Sequence, residues 1–332
     1  MAERMRALKF GTDLWDPSHR FETSWILTPW VLFGCRAAIV GLRFLAIQTL
    51  LMDLVSLRIR NNILHHRLGS DEPQWPFNPR CAPIILFLHK YVLVLLCPHT
   101  ILVLIASCLV LCYWGISFYF LISALHTFSY AINGGTPLLN RLPRPLQALH
   151  YLFYTTIITF PFLVTIVYWA ILYSGFSSRF TLWSNVSQHA LNSVFGLFEL
   201  AFSRINPSPW IHLLWLIVIL ACYCGLAYVT YATKHYYVYS FLNPNPPDHV
   251  VTNGVKTNQG GVGKGAVVGY VFGIAAAIIV IFCVSKGLQT LRKWGVEKKL
   301  GMKGKFYAGR GMGSGEVELE TARVWEKGPR EA

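Results

Sequence analysis

Charged residues are scarce in this sequence, and acidic residues are the scarcest of them. Only 13% of the 332 residues are charged, with 15 Asp and Glu against 29 Lys and Arg. Because soluble domains carry about 25% charged residues, the composition argues against an ordinary soluble domain. Hydrophobic residues, at 54% of the chain, take the place of the missing charges.

Apolar runs long enough to cross a membrane, which takes about 20 residues, recur along the chain. Four of six carry almost no charge, whereas the fourth run contains His189 and Glu199, and the first contains Arg36 and Arg43. The sequence therefore predicts an all-α, polytopic integral membrane protein with about six transmembrane helices in a bundle. The six runs are 24–52, 101–125, 151–175, 183–203, 209–233 and 265–285.

Polar segments flank this predicted membrane domain, which covers residues 24–285. Residues 1–23 form a short head without the apolar region of a cleavable signal peptide, and residues 286–332 form a basic tail that is expected to be disordered. With six spans, both termini lie on the side richer in Lys and Arg, which predicts cytoplasmic termini. A shorter apolar run at 82–97 is re-entrant, interfacial or a seventh span.

Few partners other than lipid fit this composition. The basic tail predicts attraction to anionic headgroups, and its few aromatic residues argue against nucleic acid. Most of the eight cysteines lie inside predicted spans, where they are most simply small apolar residues. The sequence therefore predicts neither a metal nor another cofactor, and it places the protein in an endomembrane, such as the endoplasmic reticulum, or in the plasma membrane.

A polar stripe runs down one side of the fourth predicted span. Asn185, His189, Asn192, Gly196 and Glu199 are spaced i, i+4, i+7, i+11 and i+14, which places them on one face of a helix. Ionisable groups inside a membrane are costly and mark a functional site by default. Helix–helix hydrogen bonding is the structural alternative, with Glu199 neutral or paired with Arg36 or Arg43.

The second predicted span offers a companion face, which includes Cys112. If spans two and four enter from the same side, Cys112 and His189 lie at similar depths, about 15 and 10 Å from their respective ends. A thiol beside an imidazole is the minimal apparatus for covalent acyl transfer. We therefore predict His189 as a base and Cys112 as a nucleophile, with Asn185 or Asn192 as an orienting group or oxyanion donor.

Two stretches resemble a known family. "NVSQHALNSVFGLFELAFSR…YVYSFLNP" and "YWGISFYFLISALHTFSY" (113–130) resemble the androgen-induced gene (FAR-type) family of multi-pass membrane proteins and its rolling-stone relatives. The resemblance covers about 105–245. It implies hydrolysis of lipid esters, such as fatty acid esters of hydroxy fatty acids, by an intramembrane threonine and histidine. The histidine carries over onto His189, whereas Cys112 stands where the family has threonine.

That departure leaves several interpretations open. Cys112 replaces the threonine, the nucleophile lies elsewhere (Thr100 is at the span edge and Thr127 at the wrong depth), or the chain is inactive. The competing hypothesis is a non-enzymatic membrane protein, transporter-like or a component of adhesion or fusion. In that case Arg36, Arg43 and Glu199 would form a structural or translocation network.

Overall fold

The described part of the chain is almost entirely helical. A computed structural model describes residues 16, 18–45, 108–133, 137–173, 175, 179–235, 237–245 and 261–302. Its helices are α1 (29–45), α2 (Cys108–Asn133), α3 (Leu138–Arg141), α4 (Arg144–Ile157), α5 (Phe160–Val167), α6 (Arg179–Asn185), α7 (Leu191–Phe202), α8 (Ile211–Lys234) and α9 (Lys264–Lys293). The predicted run at 82–97 lies outside the described residues.

Three short π-helical turns extend or join these helices. Tyr168–Leu172 follows α5, Val186–Ala190 joins α6 to α7, and Trp294–Lys299 follows α9. Such turns are rare and interrupt the regular 3.6-residue period. The second of them falls inside the predicted polar stripe: it begins directly after Asn185 and contains His189.

The predicted all-α polytopic fold is confirmed by the length and composition of these helices. Four segments are long and apolar enough to cross a membrane, and each overlaps a predicted span. The segments with Arg36 and Arg43 (α1) and with His189 and Glu199 (α6–α7) are also helical. The four apolar segments are Leu111–Asn133, Arg144–Leu172, Ile211–Thr233 and Lys264–Lys299.

The break between α4 and α5 arises from Pro161, in the first turn of α5. A proline cannot donate the backbone hydrogen bond to the residue four earlier, here Ile157. Gly196 of α7 packs against that carbonyl so closely that a Cβ would lie 2.8 Å from its oxygen. The next carbonyl, of Ile158, accepts a 2.9 Å hydrogen bond from Ser285 of α9. The proline thus leaves backbone carbonyls at the end of α4 accessible to α7 and α9, and the three helices meet there.

Helix α2 lies at the centre of the bundle and runs in the same direction as α6–α7. Near its start, the Tyr113 hydroxyl is 3.4 Å from that of Ser187. Two turns later, the Tyr119 hydroxyl donates to Glu199, at 3.0 Å. Both pairs advance along the chain together, as expected if the second and fourth spans enter from one side.

The residues before α1 pack against the end of the bundle. Phe21 is part of the main apolar core, and the backbone of Arg204 donates to the carbonyl of Thr23 at 3.3 Å. An ion pair of 2.8 Å joins Arg20 to Glu297, so this segment and the end of α9 lie together. Because α9 runs helically past residue 285, the first part of the predicted tail is helical.

Glu22 in this packed segment is a buried acid. Its side chain is fully buried, and neither carboxylate oxygen has a hydrogen-bond partner among the described residues. Burial, followed by the nearby Asp16 carboxylate, raises the pKa of Glu22 well above its ordinary value, against a smaller opposing effect of Arg36. Burial likewise raises the pKa of Asp16.

Glu22 is therefore expected to make folding less favourable as pH rises. Because the native pKa of Glu22 is raised, its contribution to the stability of the folded protein is fully present below the ordinary pKa of about 4.3. That contribution is lost as pH rises through the native pKa. Glu22→Gln should raise the melting temperature at neutral pH and match the parent near pH 4. Thermal unfolding across this range checks it, and a variant no more stable than the parent at neutral pH would contradict it.

Candidate functional site

The polar stripe points into the bundle instead of toward lipid. Asn192 and Glu199 are fully buried, and His189 is 5% exposed. Asn185 is only half-buried, because the π-helical turn separates it from the other members. The buried part of the stripe therefore begins at His189.

Glu199 forms a buried ion pair with Arg36 of α1. Both side chains are fully buried. The guanidinium contacts both carboxylate oxygens, with Nε 3.2 Å from Oε2. Another nitrogen of the same guanidinium donates to the Phe21 carbonyl at 3.0 Å and to Thr127 at 2.5 Å. Of the two partners that the sequence allowed for Glu199, Arg36 is the one it contacts.

Arg43, two turns further along α1, is buried without a carboxylate partner in the described part of the chain. Its guanidinium donates to Ser117 at 2.8 Å, to the Asn192 side-chain oxygen at 2.6 Å, and to the carbonyl of Tyr113. It also lies 3.8 Å from the centre of the Tyr113 ring. In the described part of the chain, its hydrogen-bond partners are thus all neutral groups.

Cys112 is half-buried and lines a cavity of about 190 Å³ between α2, α4–α5 and α8. The walls are almost wholly apolar, and His189 is not among the lining residues. Tyr113, the next residue of this helix, contacts the turn containing His189 through the Ser187 hydroxyl. The other lining residues are Leu111, Gly115, Ile116, Phe153, Thr156, Ile157, Phe160, Pro161, Ile219, Leu220 and Tyr223.

The His189 imidazole is held in place by stacking. Its ring lies face to face with that of Tyr168, at 3.5 Å between centres and an angle of 9°. The backbone carbonyl of His189 accepts a hydrogen bond from Thr165, which fixes the turn to α5. Nδ1 is buried and has no hydrogen-bond partner among the residues described. A positioned imidazole with an open nitrogen can accept or donate a proton.

The predicted site residues fall into two groups at different depths. Arg43 contacts the Tyr113 carbonyl, next to Cys112 in the sequence, and the Asn192 side chain, and His189 lies one turn before Asn192 on the same face. Arg36 and Glu199 form the other group, about 10–15 Å further along the helix axis from His189. The predicted direct pairing of Cys112 with His189 stays a prediction.

The structure also contains a contact between a hydroxyl group and an imidazole that was not identified from the sequence. Thr155 of α4 lies 2.7 Å from Nδ1 of His212 in α8 and 3.0 Å from the Ser208 hydroxyl. Thr155 and Ser208 are fully buried, and Gln289 of α9 accepts from the Ser208 backbone at 3.0 Å. These contacts tie three helices together. No sequence spacing relates residues so far apart, so only the structure could reveal them.

Metal and family comparisons add no further assignment. Within the described ranges, no group of three or more His, Cys, Asp or Glu side chains is arranged to hold a metal ion. Comparison of the chain with models of known families, with curated proteins and with solved structures found no match.

Proposed function

We propose that this integral membrane protein hydrolyses lipid esters within the bilayer, as a member of the androgen-induced gene (FAR-type) family. Fatty acid esters of hydroxy fatty acids are the substrate class that the resemblance implies. The apolar cavity beside Cys112 supports a substrate with hydrocarbon chains. The buried polar side chains at the same depth as this cavity support ester hydrolysis as the reaction.

The observation that carries the proposal is the placement of Arg43. Arg43 is buried without a carboxylate partner in the described part of the chain, which is costly, and its guanidinium donates to the carbonyl of Tyr113, the residue after Cys112. A neighbouring cation favours the thiolate form of cysteine, which is the reactive nucleophile. Arg43 thereby supports Cys112 as a substitute for the threonine of the family.

The reaction would proceed through a thioester. The Cys112 proton passes to His189 as the sulfur bonds to the ester carbonyl, the carbon–oxygen bond breaks, and the leaving alkoxide takes that proton. A water molecule, deprotonated by His189, then attacks the thioester, which releases the fatty acid and restores the thiol. Asn192 is held by Arg43 and would orient the polar end of the substrate.

Both termini are proposed to face the cytoplasm. Nine of the described Lys and Arg residues lie at the end of the bundle that contains Arg20 and Glu297, against three at the opposite end. This asymmetry supports a cytoplasmic location for the first end under the positive-inside rule. The nine are Arg20, Arg141, Arg144, Arg204, Lys286, Arg292, Lys293, Lys298 and Lys299, and the three are Arg179, Lys234 and Lys264.

Covalent labelling tests the assignment of the nucleophile. In membranes, a lipid-like electrophilic probe for hydrolases is expected to label the parent protein. The probe should not label Cys112→Ala, and it should label His189→Ala much more slowly than the parent. Cys222→Ala, which removes an exposed cysteine of α8, is the matched control and should label like the parent. Unchanged labelling in both Cys112→Ala and His189→Ala would overturn the assignment.

A non-enzymatic function is the second candidate, favoured by one observation. Arg36 and Glu199 satisfy each other and their neighbours Phe21, Thr127 and Tyr119, as a structural network would. This candidate would be favoured if the parent protein hydrolyses no ester and the Glu199→Gln variant loses solute flux.

A further inference from the structure

A groove lies on the outer surface of α9, near the basic end of the bundle. Its floor is one face of the helix, with residues at i, i+3, i+4, i+7, i+8 and i+11, and Trp210 before α8 forms its side wall. The groove has a volume of about 510 Å³. The floor residues are Cys283, Lys286, Gly287, Thr290, Leu291 and Trp294.

Lys286 is the charged group of this groove, and it is held in place. Its ammonium donates to the backbone carbonyl of Ser208 and lies 5.1 Å from the centre of the Trp210 ring. An ammonium has three donors, so two remain for another acceptor. The cation is thus positioned by the protein but left with capacity to bind an anion.

The surroundings identify the depth of the groove in the membrane. Trp210 is 61% exposed and Trp294 is 46% exposed, and exposed tryptophans concentrate at the membrane–water boundary. On one side of Lys286 the helix presents apolar residues such as Val280 and Val284, and on the other it carries the basic run that includes Arg292 and Lys293. The groove therefore spans the level of lipid headgroups and the first part of the acyl chains.

We propose that this groove binds one anionic phospholipid, with its phosphate on Lys286 and an acyl chain over Gly287 and Cys283. Charge complementarity carries the choice of occupant, because Lys286, the one charged residue among the described residues that line the groove, is a cation. Basic groups near the membrane surface favour anionic over zwitterionic lipid. The site lies on the outside of the bundle, apart from Cys112 and His189, and does not depend on the proposed hydrolysis.

Lipid retention measured by native mass spectrometry tests the site. Delipidated protein is exposed to equal amounts of phosphatidylserine and phosphatidylcholine, and the parent is expected to retain one phosphatidylserine preferentially. Lys286→Gln should weaken retention of phosphatidylserine about fivefold, the effect of one cation at the membrane surface. Lys264→Gln, which removes an exposed cation from the opposite end of the same helix, should leave retention unchanged.

A second variant separates the shape of the groove from its charge. A side chain at Gly287 would meet open space, so Gly287→Leu should fold normally and reduce retention of both lipids by filling the groove. Equal retention of phosphatidylserine by the parent and Lys286→Gln would overturn the proposal. Full displacement of the lipid by soluble glycerophosphoserine would also overturn it, because the ligand would then be a free phosphate ester. A dimer in which a second copy of the chain covers the groove would overturn it as well.

Discussion

Arg36→Met is expected to destabilise the protein by about 3–5 kcal/mol, the usual cost of removing one partner from a buried ion pair. The substitution leaves the Glu199 carboxylate in the core with only Tyr119 as a hydrogen-bond donor among the described residues. It also removes the donors to Phe21 and Thr127. Reversible unfolding of the protein in mixed micelles measures the change.

Two further variants make this expectation specific to the pair. The double variant Arg36→Met with Glu199→Gln should be less destabilised than the sum of the single changes, because no charge then remains unpaired. Arg20→Met breaks the partly exposed pair with Glu297 and should cost only about 0–1 kcal/mol. An Arg36→Met protein as stable as Arg20→Met would contradict the role assigned to the pair.

His189→Ala is expected to lower the rate of ester hydrolysis by about 10²–10⁴-fold, the usual contribution of a general base. His189→Gln should lower the rate by a similar factor, because the glutamine amide is polar but cannot accept and donate a proton as the imidazole does. The rate of fatty acid release by protein reconstituted in lipid measures the effect, with thermal unfolding to confirm that both variants fold.

His126→Ala is the matched control for that loss. His126 is also buried, and both of its ring nitrogens lack partners within the described structure, but it packs against His150 near the basic end of the bundle. Its removal should leave hydrolysis close to the parent rate. Equal losses in the His126 and His189 variants would indicate a general structural effect and would contradict a catalytic His189.

Sequence periodicity was enough to predict the buried face of the α6–α7 segment but not its contacts. The spacing of His189, Asn192 and Glu199 places them on one side of a helix, and all three are buried. The π-helical turn shifted Asn185 off this face, and no local pattern indicated it. Which arginine meets Glu199 depends on how far α1 and α7 slide past each other, which composition does not determine.

Two other features depended on tertiary contacts between distant residues. Residues 16–23 look like a polar head, yet Phe21 and Glu22 are buried because the segment folds back onto the bundle. The basic residues after Ser285 suggested a disordered tail, whereas Arg292 donates to the carbonyls of Leu200 and Ile205 and keeps this part of the chain helical. Such pairings join residues too far apart for any pattern in the sequence.

An assay of the purified protein in lipid against a panel of lipid esters tests the central claim most directly. The account predicts that the parent releases fatty acid from at least one long-chain ester, preferentially esters of hydroxy fatty acids, that Cys112→Ala abolishes this release, and that His189→Ala lowers its rate by about 10²–10⁴-fold. No hydrolysis of any ester by folded parent protein, or release that persists in both variants, would contradict it.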